Sequence, residues 1–365
     1  MIRLLDARDP ALLDRLRAAR TEGDVPLVLD ERSPAAQRTA IEEWTRTAML
    51  PAEAGWATAT SGSSGSPRVV LRTAASWSAS HSAVAALLGA GPDDVVALPA
   101  PASSSLTLYS LAHALEGGPR PALGPIGPES THLHGTPEAL RGALEARPPR
   151  LRSALIGGSH LDPALRARAE AAGIRVVAYY GAAELSFVAA DDGSGLCAFP
   201  GVELRVEDGV LWVRSPFVAL GYGGSRPGPL RTRDGWSTVG DRAELVDGRL
   251  RLLGRDDDAV LSASATIVPE EVEAVLRSAE GVRDAVVFGV ERGPVGALVG
   301  ALIEPTDEDG APTVAALRGA AGEQLAPAHR PRLWFVGPVP RTTSGKPARA
   351  EVARRAAAGE LVRLG

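Results

Sequence analysis

The stretch Thr60-Ser61-Gly62-Ser63-Ser64-Gly65-Ser66-Pro67, running into Arg68-Val69-Val70-Leu71, decides how the rest of this chain is read. Glycine lets a backbone turn tightly and approach an anion closely, and the N–H groups of such a turn converge on phosphate oxygens. Hydroxyls add donors that can follow a polyphosphate as it moves. Alone, a Ser/Gly run reads more readily as a flexible loop. Three later segments decide between the two readings.

A chain of 365 residues exceeds one small core and implies two or three domains. Hydrophobic residues at 45% with 23% charged describe an ordinary globular composition. The net charge of -5 gives no reason to expect nucleic acid or an anionic membrane as partner. Cys197 is the single cysteine, so neither an internal disulfide nor a cysteine-rich metal site is available. The opening MIRLLDARDP lacks a long apolar core and carries acids, unlike a signal peptide. No uncharged apolar stretch approaches the ~20 residues that span a bilayer. The expected location is the cytoplasm.

Apolar spacing predicts helices over 11–22, 34–49, 74–90 and 162–172, and strands at Val95-Val96-Ala97-Leu98, 151–158 and 174–180. Strands alternating with helices argue for an α/β sheet with parallel pairs. From Gly201 the pattern alternates around Glu207-Asp208-Gly209, a hairpin signature, and Asp247-Gly248 predicts a second hairpin over 243–253. The stretch 254–266 reads as a domain boundary. Beyond it, a helix from Pro269 to Glu280, one near 312–325, and strands at 285–290, 297–303 and 333–336 predict a small α+β domain. The expected division is residues 1–254 and 255–365. The Pro/Gly-rich tract 117–129 is expected as an ordered surface loop, and His132 and His134 as solvated loop residues rather than a metal pair. Cys197 is expected as a structural thiol.

Tyr179-Tyr180-Gly181-Ala182-Ala183-Glu184 follows the 174–180 strand, and a carboxylate at a strand's carboxyl end sits where open α/β sheets bind ligands. Glu184 could hold a magnesium ion bridging phosphates, or be a surface glutamate after a turn. In Trp236-Ser237-Thr238-Val239-Gly240-Asp241, Asp241 could accept both hydroxyls of a ribose, and in Gly254-Arg255-Asp256-Asp257-Asp258, Arg255 could contact ribose or phosphate. Gly-Asp and acid runs also serve as plain turns. Pro340-Arg341-Thr342-Thr343-Ser344-Gly345-Lys346 sets a lysine on a glycine loop, able to meet developing negative charge or simply to face solvent.

In order and spacing, from about residue 56 to 350, these segments resemble the signature set of the adenylate-forming superfamily of acyl-CoA synthetases, peptide-synthetase adenylation domains and luciferases. The resemblance implies a large N-terminal domain, with parallel-rich sheets, helices and a β-hairpin subdomain, and a small mobile C-terminal α+β domain. It implies ATP and magnesium, attack of a carboxylate on the α-phosphate, and often transfer to coenzyme A or a carrier-protein thiol. Carried over, Thr60, Ser61, Gly62, Ser63, Ser64 and Gly65 would hold the β/γ-phosphates, and Gly157 and Gly158 would flank the adenine. Tyr180 would border the adenine, with Gly181 beside it. Glu184 would ligate magnesium, Asp241 would bind ribose and Arg255 would join the nucleotide contacts. Asp257 would be the hinge and Lys346 the catalytic lysine. Ala102, Ser103, Phe187 and Val188 are the candidate walls of the acid pocket.

The departures bear on the chemistry. Ser66 stands where the family has a lysine, with Arg68 nearby, and Ala183 replaces a threonine hydroxyl. Ser262-Ala263-Ser264-Ala265 replaces a glycine pair that lines the pantetheine channel, which puts thioester formation in question. The chain resembles the o-succinylbenzoyl-CoA synthetases in size, yet Leu185 and Ser186 after Glu184 depart from their pattern. The expected activity is ligation of a small aryl or acyl acid through its adenylate. Two alternatives are a thiol-independent adenylating enzyme, such as an ATP-dependent diazotase activating nitrite for an aryl amine, and a degenerate nucleotide binder. A homodimer would replace the packing surface that a short N-terminal domain lacks.

Overall fold

The apolar run after the Ser/Gly stretch folds back on the strand before it. Trp56–Thr60 and Arg68–Arg72 pair antiparallel with Thr60 opposite Arg68. The computed structural model describes every residue except 34, 61–67, 225–227, 256–259, 263–264, 268, 292–296, 307–309, 343–344 and 365, and it leaves the side chains of 255, 260–262, 265–266, 271 and 291 undescribed. The chain divides into two compact units. One is Met1–Val239 with Leu245–Arg251 and Thr343–Gly345; the other is Gly240–Glu244, Leu252–Thr342 and Lys346–Gly365.

The first unit holds two large sheets. In one, Ile2–Asp6, Val25–Leu29 and Trp56–Thr60 run parallel, followed by Arg68–Arg72 and Gly221–Gly223 antiparallel. Helix Ala35–Thr47 covers it with Ile41 and Trp44 against Leu27, Ala57 and Leu71. In the other, the order is Cys197–Ala198, Ser186–Asp191, Arg175–Ala182, Ser153–Ile156, His132–Gly135, Val95–Leu98, Arg120–Leu123. Its last five members are mutually parallel. Helices Pro137–Ala146 and Pro163–Ala171 pack Leu140, Ala143, Leu165 and Ala169 onto Leu133, Ala154 and Val176. Each leucine so buried contributes roughly 1.5–3 kcal/mol. Both helices begin with Pro at the first turn behind a capping side chain, Thr136 or Asp162.

The expected hairpin forms from Glu203–Glu207 and Val210–Arg214, with Asp208 and Gly209 both at positive φ, 51° and 75°. The second unit sets Val282–Glu291, Ala297–Pro305, Leu333–Val336 and Val362–Arg363 in one sheet. Helices Pro269–Arg277 and Val314–Gln324 share its core through Val272, Leu276 and Leu317. The helix that follows the lysine loop, Arg349–Ala357, buries Val352 against Val286 and Phe288.

Several expectations are corrected. The helix foreseen over 74–90 is two, Ala75–Ser78 and His81–Leu88, broken where Ser80 bonds Trp77 and Tyr109 instead of continuing the ladder. The tract 117–129 contains edge strand Arg120–Leu123, and an edge tolerates Pro121 because one side of its backbone needs no partner. His132 and His134 lie on an inner strand at 2% and 0% exposure, because Ser153, Ser110 and Tyr179 supply hydroxyl partners. Cys197 is exposed. Among the described residues, no helix is long and apolar enough to cross a membrane.

Candidate active site

Strand Val95–Leu98 lies between Arg120–Leu123 and His132–Gly135, so the chain reverses its direction of travel across the sheet at this point. Ligands of open α/β sheets bind outside the carboxyl ends of the strands at such a reversal. Three of the parallel strands deliver sequence-predicted residues to that edge. Buried Ala102 and half-buried Ser103 follow Val95–Leu98, and Ser104 caps the helix behind them through the Thr107 N–H at 3.2 Å. Gly157 and Gly158 follow Ser153–Ile156, with Gly158 at φ 89°. Tyr180 and Gly181 end Arg175–Ala182. The chain then turns through Ala183-Glu184-Leu185 into the antiparallel strand Ser186–Asp191, so Glu184 sits at a hairpin tip. Two glycines are dictated by contact. A Cβ on Gly181 would lie 2.1 Å from the Ser186 carbonyl oxygen, and one on Gly157 would lie 2.2 Å from the Tyr179 ring. Phe187 and Val188 are buried at 3% and 0% and belong to the packed aromatic core; the Phe187 ring sits 4.6 Å from that of Tyr179 and 5.1 Å from that of Phe199.

Glu184 is only 7% exposed, and the Tyr222 hydroxyl donates to its Oε1 at 2.8 Å. Tyr222 sits opposite Val70 in the adjoining sheet, which ties strand Arg68–Arg72 to the Glu184 turn. Burial and the neighbouring Glu184 charge both push the Tyr222 phenol up, so it remains a donor. Beneath the turn, Arg72 is buried at 1% exposure, stacked on Trp77, and donates to Ser76 Oγ and the carbonyls of Phe217 and Ala183. Burial pulls its guanidinium down to about 9 while Glu184 pulls it back, so it stays charged near neutrality. Sequence reasoning missed Arg72 and Tyr222. The signal for Arg72 was there: an arginine closing an apolar strand, Val69-Val70-Leu71-Arg72, needs buried acceptors.

In the second unit, Asp241 is 8% exposed and opens strand Asp241–Val246 after Gly240 at φ 84°. Lys346 is exposed on a loop whose base is closed by an Arg341–Pro347 bridge. The Thr342 N–H donates to the Lys346 carbonyl at 2.7 Å, and the Lys346 N–H to Thr342 Oγ1 at 3.2 Å. Arg341 donates to Asp284 Oδ2 at 2.6 Å, and Arg277 to Asp284 Oδ1 at 2.8 Å. Burial works against the Asp284 charge, yet Arg277 and Arg341 overcome it and hold the carboxyl below its ordinary value. Arg277 and Arg349 both reach Glu273 in the same network, so the loop hangs from a buried set of paired charges.

Thr60 ends its strand half-buried, whereas Ser61, Gly62, Ser63, Ser64, Gly65 and Asp257, and the side chain of Arg255, lie outside the described residues. Among the described residues, no cluster of three or more His, Cys, Asp or Glu is arranged to hold a metal ion. Magnesium bound through one carboxylate and nucleotide phosphates needs no such cluster, and Glu184, with one oxygen engaged by Tyr222, fits that donor set.

A profile described as "AMP-binding enzyme" matches residues 8–223, and one described as "AMP-binding enzyme C-terminal domain" matches 271–346. The 2-succinylbenzoate–CoA ligase of Salmonella typhimurium is 31% identical over 296 residues, covering 77% of this chain and 64% of that protein. The chain thus spans under two thirds of the length of the curated relatives it matches, 34% and 54% for a fatty acid–[acyl-carrier-protein] ligase of Mycobacterium marinum and a probable 2-succinylbenzoate–CoA ligase of Mycobacterium tuberculosis. In fold it is similar to E. coli MenE with bound OSB-AMS, at TM-score 0.84 and 23% identity over 98% of this chain and 88% of that one. ATP-bound MatB from Rhodopseudomonas palustris gives TM-score 0.83 and 19% identity over 98% and 88%.

Proposed function

We propose that this chain, which belongs to the AMP-binding enzyme family, activates a small carboxylic acid with ATP. A carboxylate oxygen of the acid attacks the α-phosphorus, a new O–P bond forms, and the bond to pyrophosphate breaks. The acid leaves as its acyl-adenylate. The observation that carries this reading is the buried Glu184 carboxylate at the carboxyl edge of the parallel sheet, gripped by Tyr222 on one oxygen, its turn clamped from below by Arg72.

In this reading Glu184 would hold a magnesium ion, which when bound neutralises phosphate charge. Thr60 and the Ser61–Gly65 run hold the β/γ-phosphates, Gly157, Gly158, Tyr180 and Gly181 border the adenine, and Asp241 and Arg255 take the ribose side. Lys346 brings its ammonium to the oxygen shared by acid and phosphate, where charge develops as the bond forms; such chemistry is mostly positioning and charge neutralisation. Residues 1–254 form the nucleotide- and acid-binding domain, and 255–365 the mobile domain that carries the lysine about a hinge at Asp257. Proteolytic cleavage between residues 254 and 266 that ATP leaves unchanged counts against the hinge.

Transfer to coenzyme A or a carrier-protein thiol is the expected second half-reaction. Ser262-Ala263-Ser264-Ala265 in place of glycines is the observation that keeps a thiol-independent course in view, with nitrite and an aryl amine as reactants. Pyrophosphate release across a panel of acids, and with nitrite plus an aryl amine, each with and without coenzyme A, separates these. Release with an acid and formation of a CoA thioester supports the ligase. Release with nitrite that ignores coenzyme A favours the diazotase, and release with neither leaves a nucleotide binder.

A further inference from the structure

The edge of the seven-stranded sheet opposite the proposed site carries a cavity of about 310 Å³. Gly91-Pro92, leading into Val95–Leu98, and Gly117-Gly118-Pro119, leading into Arg120–Leu123, line it, so it lies at the amino ends of those strands. Helix Ser105–Leu115, 11 residues and about 16 Å long, separates it from Ala102 and Ser103. That helix brings His113 to the cavity and ends on Glu116, and helix His81–Leu88 brings His81 and Ser82. The two imidazoles stack at 4.4 Å, 18° from parallel. Sites for small molecules begin at about 300 Å³, so the cavity suits a compact ligand.

Both rings are enclosed, His81 at 8% and His113 at 7% exposure. His81 Nδ1 lies 3.2 Å from Glu116 Oε2, and its Nε2 is buried with no partner among the described residues. The ring's single proton therefore belongs on Nδ1, where it meets the carboxylate. Among the described residues, His113 makes no hydrogen bond with either nitrogen. The Cδ2–Nε2 edge of its ring faces Gly118, where a Cβ would stand 2.3 Å from Cδ2 and 2.7 Å from Nε2, so the ring can lie there only against glycine. Glu116 Oε1 is likewise unpartnered among the described residues, and no described arginine or lysine lies within 4.0 Å of the carboxylate. Arg20 acts on it only from a distance, since its guanidinium donates to the Gly55 carbonyl at 2.8 Å and lies over the Trp56 ring. Burial, with His113 beside it, takes His81 down to about 3, and burial lowers His113 as well. Neither ring neutralises the carboxylate near pH 7, and the cavity gathers acceptors around one uncompensated negative charge.

We infer that this cavity binds a small organic ammonium, at a second site that does not rest on the adenylation reading. One N–H goes to Glu116 Oε1, one to a ring nitrogen of His113, and one to the hydroxyl of Ser78 or Ser82, all of which line the cavity. An anion would meet the Glu116 charge with no cation to offset it. A metal ion needs nitrogen lone pairs that converge on it, whereas those of two rings 18° from parallel run side by side. A hydrocarbon would strip water from the carboxylate and leave it unpaired. Glu116 and His113 are the binding residues in this account, and His81 positions the carboxylate.

The test follows the ring resonances of isotope-labelled histidine by NMR as propylammonium chloride is added at neutral pH and constant ionic strength. Tetramethylammonium chloride serves as the cation without an N–H. Propylammonium should shift His81 and His113 saturably and leave His132, His134, His160 and His329 in place. Glu116→Gln changes a side chain that is 46% exposed and keeps its shape, and His113→Phe keeps a ring against His81 while removing both nitrogens. Each should weaken binding at least ~10-fold, read from His81, and wild type should bind tetramethylammonium at least ~10-fold more weakly than propylammonium. No saturable shift up to about 100 mM, equal binding of the two cations, or undiminished binding in Glu116→Gln overturns the site. Pyrophosphate release is not read in this experiment, so neither result bears on adenylation.

Discussion

Glu184, Asp241 and Lys346 show how far single residues can be read. Each stood out in sequence because it closes a short motif; Glu184 lies in the turn between two antiparallel strands, Asp241 opens a strand, and Lys346 sits on a loop closed by the Arg341–Pro347 bridge. Their supports were not legible. Tyr222 reaches Glu184 across 38 positions and Arg72 reaches the Ala183 carbonyl across 111, and no local pattern encodes such a pairing. Lys346→Ala should lower adenylation by at least ~10²-fold with little change in ATP affinity, since charge aimed at a transition state leaves ground-state binding alone. Single-turnover adenylate formation beside nucleotide titration checks this, and equal loss in both refutes the role. Asp241→Ala should do the reverse, weakening ATP binding more than it slows the bound complex. Unchanged nucleotide affinity would remove Asp241 from the ribose.

At the level of elements, the strands that deliver the site were largely readable, because Ala154-Leu155-Ile156 and Val176-Val177-Ala178 are short apolar runs and parallel inner strands are buried on both faces. Strand His132–Gly135 was not, since its two imidazoles read as polar until Ser110, Ser153 and Tyr179 are seen to satisfy them. The return strand Ser186–Asp191 was also missed, and with it the reason for Gly181. Gly181→Ala would press a methyl group into the Ser186 carbonyl at 2.1 Å, a backbone contact that cannot swing aside. We expect Gly181→Ala to lower the melting temperature by several degrees, on the order of 1–3 kcal/mol, and to impair adenylation by displacing Glu184. A variant that melts like wild type would show that the hairpin tip absorbs the change.

For the whole molecule, acid should act on the two units in different ranges. Burial, with the stacked His113 ring 4.4 Å away, takes His81 down to about 3, and burial, helped by His113, does the same to His134; both ordinarily titrate at 6.5. The unfolded chain binds these protons as pH falls through 6.5, while the folded first unit refuses them until about 3. Its stability is therefore full above 6.5 and declines through that window. Asp284, held below 3.8, supports the second unit at all pH above that value and loses its contribution only below it. Urea midpoints followed by tryptophan fluorescence should fall between about pH 7 and about pH 5, and fall less in His81→Gln; a midpoint flat across that range refutes the argument. The sequence by itself determined the family, the alternation of strands and helices, and the identity of the motif residues, because short-range periodicity and glycine-bearing motifs are local properties of the chain. Only the tertiary structure decided which distant side chains grip those motifs, Arg72 and Tyr222 at Glu184 and Asp284 at the lysine loop, and that His134 lies between Ser110 and Tyr179. Buried polar groups must find partners, and the strand order alone settles which partners come within reach.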